Sequence, residues 1–239
     1  MEGIIHSIES LAAVDGEGLR CSVFMAGCPL RCLYCHNPDT WQMSGARVSS
    51  EDLVKKILRF RPYFGENGGA TFSGGEPLLQ APFLKETVTL LQRFGVRYVI
   101  DTSGQVDLDE PVSFLLKNAQ SVLLDLKFWD EDSYRLYTGC GIRKTLDLLD
   151  ALNEMGTTTV LRTVVVPGIN DSKDRIKAYV NLFQGKTCVK KYELLPFHTM
   201  GFFKYEKLGI KNPLANKRAL APTVLHELQQ FADEIRKNG

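Results

Sequence analysis

Short apolar runs recur along the chain, at about residues 20–26 and at Ala70–Ser73, Arg97–Asp101, Ser121–Leu126, Thr158–Val166 and Val189–Leu195. Runs of this kind, bounded by glycine, proline or acidic residues, read as strands buried on both faces. Between them the apolar positions fall at helical spacing. The capping box Ser49-Ser50-Glu51-Asp52 precedes Leu53, Val54, Ile57 and Leu58; Pro82 opens a helix through Phe83, Leu84, Val88 and Leu91 that Gly95 stops. Further helices are expected at about 109–118 with Pro111 in the first turn, at about 144–155 closed by Gly156, through Ile176, Tyr179, Val180 and Phe183, and at about 222–236. Six strands alternating with helices demand a mostly parallel sheet, either doubly wound or a partial barrel. Cys28, Gly74-Gly75-Glu76, Asp101-Thr102, Asp125-Lys127, Arg162 and His198 all fall at or near strand C-terminal ends. Barrels build their sites at that face from many strands, whereas an open sheet concentrates its site at one switch point, so the barrel is favoured.

Two stretches lie outside the alternation. Residues 1–19 end in Val14-Asp15-Gly16-Glu17-Gly18, a turn whose glycines let the backbone approach something closely. Residues from about 196 to 221 carry no sustained period but several glycines, prolines, lysines and aromatics. They read as a long functional loop over the barrel mouth, mobile until substrate arrives.

At 239 residues the chain suits a single α/β domain spanning 1–239, and 44% hydrophobic with 24% charged residues is ordinary for a globular protein. A net charge of +1 leaves no electrostatic footprint for nucleic acid. No apolar run is long enough for a membrane span, and the first residues lack a signal peptide's charged start. A cytoplasmic location is therefore expected, with thiols reduced and available to metal.

The chemistry gathers in Cys28-Pro29-Leu30-Arg31-Cys32-Leu33-Tyr34-Cys35-His36-Asn37, inside a loop of about 27–41. Three thiols so close cannot pair without strain, but they can converge on one inorganic centre. One reading is a structural zinc site with His36 as fourth ligand. Adjacent Cys35 and His36 make a poor pair on one tetrahedral ion, and Cys21, Cys140 and Cys188 show no motif spacing. A 4Fe–4S cluster with three protein ligands and one open iron remains. Colour separates the two, since zinc is colourless.

The C-x3-C-x2-C spacing with Tyr34 before the last cysteine resembles the radical S-adenosylmethionine (SAM) enzymes. The longer run through Asn37-Pro38-Asp39-Thr40-Trp41 resembles their glycyl-radical-enzyme activating branch. The resemblance implies a radical SAM partial (β/α)6 barrel, with Cys28, Cys32 and Cys35 on a 4Fe–4S cluster whose open iron is chelated by SAM. It implies SAM contacts at Tyr34, His36, Gly74, Gly75, Glu76, Asp125, Leu126, Lys127, Arg162 and His198. For Arg162 a pair with a protein carboxylate is the rival reading. It also implies a monovalent cation, Na⁺ or K⁺, at Asp101, Thr102 and the Leu123 carbonyl, and places Asp15 near the incoming peptide. Relatives usually carry proline where Glu17 stands, a departure that weakens the last assignment.

The activity so implied is reductive cleavage of SAM to a 5′-deoxyadenosyl radical that takes hydrogen from a glycine Cα. The implied partners are a glycyl radical enzyme, pyruvate formate-lyase, and a low-potential electron donor such as flavodoxin or ferredoxin, the chain itself acting as a monomer. The rivals are a radical SAM enzyme for a small metabolite and a zinc-stabilised binding protein.

Overall fold

The computed structural model describes residues 1–237. Its centre is one open sheet of eight strands: β1 (Glu2–Ala12), β2 (Arg20–Met25), β3 (Ala46–Ser49), β4 (Gly69–Gly74), β5 (Arg97–Thr102), β6 (Ser121–Asp125), β7 (Thr159–Val165) and β8 (Val189–Pro196). Their order is β3-β1-β2-β4-β5-β6-β7-β8. From β2 to β8 every neighbouring pair is parallel, and these six strands are the six apolar runs. The helices are α1 (Ser50–Leu58), α2 (Ala81–Gln92), α3 (Glu110–Asn118), α4 (Glu131–Thr138), α5 (Arg143–Met155), α6 (Lys173–Phe183), α7 (Phe202–Lys207) and α8 (Pro222–Lys237).

Local chemistry starts and stops these elements where the chain signals it. Ser49 Oγ accepts from the Asp52 amide at 3.1 Å to cap α1, and Asp109 caps α3 ahead of Pro111. Gly156 closes α5 at φ 68°, a conformation that a side chain disfavours. α5 buries Leu148, Leu149 and Leu152 to 1% exposure or less, each contributing about 2 kcal/mol of apolar burial.

β1 and β3 extend the sheet beyond the expected six strands. Both run antiparallel, β1 against β2 and β3 against β1. β1 buries few of its eleven residues and its register against β2 shifts twice, so it leaves no clean alternation to read. The segment of about 196–221 is not wholly irregular, for α7 lies within it and buries Tyr205. No described helix is long and apolar enough to cross a membrane.

Candidate active site

The loop after β2 carries the three cysteines to the C-terminal end of the parallel strands. Cys28, Cys32 and Cys35 line one cavity of about 220 Å³, which also receives Gly74 and Gly75 at the end of β4, Asp101 and Thr102 at the end of β5, Asp125 and Lys127 at the end of β6, and Arg162 of β7. Tyr34 and His36 line it too. Among the described residues no three His, Cys, Asp or Glu side chains form a group that could hold a single metal ion; the three thiols share the wall of one larger cavity. Burial pushes all three thiols up, Cys28 to about 12, so any ligation must displace their protons.

The two glycines serve the backbone first. A Cβ on Gly74 would lie 2.4 Å from the Met25 amide nitrogen, and one on Gly75 would lie 2.2 Å from the Gly27 carbonyl. Only bare backbone lets the end of β4 close against the start of the cysteine loop. Glu76 then turns away from the cavity. Its carboxylate accepts from Thr102 Oγ1 at 2.6 Å, Ser103 Oγ at 2.6 Å, the Ser103 amide at 2.9 Å and the Leu78 amide at 3.2 Å. It is fully buried, and burial raises its pKa against the pull of these bonds. Glu76 thus ties the β4 loop to the β5 loop.

A chain of charges crosses the cavity wall. Ser73 Oγ donates to Asp101 at 2.8 Å, Arg162 bridges Asp101 and Asp125, and Lys127 Nζ reaches Asp125 at 2.6 Å. The strand register sets this up, pairing Asp125 with Arg162 directly across β6 and β7. Burial alone would raise the Asp125 carboxyl, but Arg162 and Lys127 outweigh it and hold it below the usual range. At Asp101 burial and the neighbouring Asp125 prevail over Arg162, and its pKa goes up. Arg162 therefore pairs with protein carboxylates, the rival reading for that residue.

His36 stacks on His198, ring centroids 3.8 Å apart, and its Nε2 meets the His198 carbonyl at 3.0 Å. Burial, with His198 adding to it, lowers the His36 pKa to about 4, so the ring is neutral near pH 7. His198 reaches the cavity only through this stack, and Leu126 is buried behind the wall. Tyr34 Oη is buried with no partner while its residue lines the cavity. Leu123 faces a different space, a cavity of about 1040 Å³ walled by β6, β7, β8 and the Ala13–Glu17 loop.

Arg162 and Leu195 line both cavities and mark where they meet. Asp15 sits in the middle of the Ala13–Glu17 loop but does not line the wide cavity; its Oδ2 accepts from Ser22 Oγ at 2.6 Å. Glu17 holds Asn67 Nδ2 at 2.9 Å, a contact proline could not make. Sequence reasoning missed Ser73, Ser103 and Leu195; of these, only Ser73 carried a signal, as a polar residue ending an apolar strand.

Residues 22–179 match the Radical SAM superfamily. A pyruvate formate-lyase-activating enzyme of Clostridium pasteurianum is 44% identical over 237 residues, 98% of both chains. One from Staphylococcus epidermidis is 40% identical across 90% of this chain and 89% of its own. Among solved structures, Streptococcus suis SuiB bound to precursor peptide SuiA superposes with a TM-score of 0.72 at 14% identity, over 97% of this chain and 47% of that one. The chain belongs to the radical SAM superfamily and, within it, to the family of pyruvate formate-lyase-activating enzymes.

Proposed function

We propose that this protein activates a pyruvate formate-lyase by removing a hydrogen atom from a glycine Cα of that enzyme. The observation that carries the reading is the convergence of Cys28, Cys32 and Cys35 on the cavity that Gly74, Gly75, Asp125 and Lys127 also line. The names of relatives sharing 44% and 40% identity over most of the chain support the same activity.

The donor set fits a 4Fe–4S cluster held by three thiolates with one iron open to SAM, and radical SAM membership implies both groups. Together they supply reductive cleavage of a carbon–sulfur bond and hydrogen abstraction from the substrate. The residues of this chain do the holding. Tyr34, His36, Gly74, Gly75, Asp125 and Lys127 are assigned direct contacts with SAM, because each lines the cavity. Tyr34 lines the cavity while its Oη is buried without a partner. Glu76, Leu126 and His198 act one layer back, Glu76 by fixing the turn that carries Thr102 and Ser103. Arg162, locked between two carboxylates, holds Asp125 and Asp101 in place at the boundary of the two cavities.

A monovalent cation at Asp101, Thr102 and the Leu123 carbonyl would share Asp101 with Arg162. The glycine-bearing segment enters by the wide cavity, whose volume suits an extended peptide, with Ala13, Val14, Gly16 and Glu17 on its wall and Asp15 in the same loop. The electron comes from a low-potential carrier such as flavodoxin or ferredoxin, and the protein works as a cytoplasmic monomer. The test is anaerobic incubation of the iron-loaded protein with SAM, dithionite and pyruvate formate-lyase. A glycyl radical seen by electron paramagnetic resonance is expected, and its absence in the presence of SAM cleavage would point to another substrate.

A further inference from the structure

Resting on that reading, we infer that the outer face of α7 is the docking surface for an acidic one-electron carrier protein. α7 lies directly against the cysteine loop. Tyr205 Oη donates to the Cys35 carbonyl at 2.9 Å, and Lys204 Nζ donates to Asn37 Oδ1 at 2.7 Å. Gly201 sits so close to the His36 backbone that a Cβ there would come within 2.7 Å of the His36 carbonyl. Whatever rests on the outside of α7 is one short helix away from a cluster ligand.

That outside is dressed for a partner. Met200 is 73% exposed and Phe203 52%, with Leu208 and Ile210 also exposed beside them. Four large apolar side chains within eleven residues are left exposed, a density that points to an interaction site. The exposed charge in the same segment is mostly basic. Of the five basic residues in 199–221, Lys204 is paired with Asp39 and Lys217 donates to the Pro167 carbonyl, which leaves Lys207, Lys211 and Arg218 exposed against the single acid Glu206, in a chain whose net charge is only +1. Lys207 stands 5.0 Å over the exposed Phe203 ring. An apolar centre with a basic rim selects an acidic protein surface and steers its approach.

The two partners of the reaction need separate entrances, and the structure has them. The wide cavity that suits a peptide is lined by no residue of 198–221, so a carrier on α7 leaves it open. The carrier loses one electron and the cluster gains it; no bond or proton crosses this surface.

The test uses the iron-loaded protein and an acidic flavodoxin, with binding measured by calorimetry at low and at high salt. Binding is expected to weaken as salt rises. The double variant Lys207→Glu with Lys211→Glu is expected to bind about tenfold more weakly or worse, and Phe203→Ser should also bind more weakly. Flavodoxin-driven SAM cleavage should fall in step, while dithionite-driven cleavage stays at the wild-type rate. Undiminished flavodoxin binding in the double variant overturns the proposal. So does loss of pyruvate formate-lyase activation by the variant under dithionite, which would make the patch a substrate surface. Binding to phosphatidylserine vesicles in place of flavodoxin would make it a membrane surface instead. If the wild type cleaves no SAM even with dithionite, the fault lies with the activase reading itself.

Discussion

Glu76 is a strut between two loops, and removing it should cost stability before it costs chemistry. In Glu76→Ala the Thr102 and Ser103 hydroxyls can rotate toward other acceptors, but the Ser103 and Leu78 amides cannot, since the backbone fixes them. Each buried amide left without an acceptor costs about 1–3 kcal/mol, so the variant should lose about 2–6 kcal/mol. For a chain of this length a loss near the middle of that range lowers the melting temperature by roughly 8–16 °C. Glu76→Gln keeps the shape and one carbonyl acceptor, and should fall between the wild type and Glu76→Ala. The assay is urea and thermal unfolding of protein freed of metal and SAM, so that no ligand enters the comparison. A loss below about 1 kcal/mol in Glu76→Ala would refute the strut, since a single unsatisfied amide already costs that much. It would return Glu76 to the direct SAM contact that its motif suggests.

The remaining expectations concern the cluster, the charge chain and the α7 region. Cys28→Ala, Cys32→Ala and Cys35→Ala should each abolish iron binding, whereas Cys21→Ala, Cys140→Ala and Cys188→Ala should retain about four irons per chain; loss in any of the last three would mean a fourth protein ligand. Because Arg162 and Lys127 hold the folded Asp125 carboxyl below its unfolded value of about 3.9, the stability it contributes is complete above that value and fades as pH falls through the folded one. The stability gap between wild type and Asp125→Asn should therefore shrink on acidification below about pH 4, and a gap that stays constant would deny the pairing. Limited proteolysis of the free protein should cut first within 208–219, beyond the α7 anchors; a first cut elsewhere would mean that this segment is a static connector.

The strands and their polar ends were legible because the two signals reinforce each other. A carboxylate such as Asp125 closing the wholly apolar Val122-Leu123-Leu124 must find a partner there, a ligand or a protein cation, and the sequence left both readings open. The choice for Arg162 between ligand and protein carboxylate was not legible, because its partners sit one and two strands away and only the register joins them. The same holds for Glu76, whose partners lie in the next βα unit. β1 escaped notice because it buries only three of its eleven residues, without regular alternation, and β3 because four residues at a sheet edge carry little pattern. α4 buries only Tyr134 and Thr138, so periodicity could not find it. Its caps could have, with Asp130 accepting from the Ser133 amide at 2.7 Å and Gly139 ending the helix in the left-handed region.

The central claim is that this barrel takes hydrogen from a peptide glycine rather than from a small metabolite. The direct measurement is transfer of label from a peptide that copies the glycyl loop of pyruvate formate-lyase and is deuterated only at the glycine Cα. Incubated with the iron-loaded protein, unlabelled SAM and dithionite, it should place deuterium in the 5′-deoxyadenosine formed, and replacing that glycine by alanine should greatly reduce the transfer. If neither the peptide nor the whole partner enzyme gives up deuterium, while a small metabolite does, the activase account is contradicted.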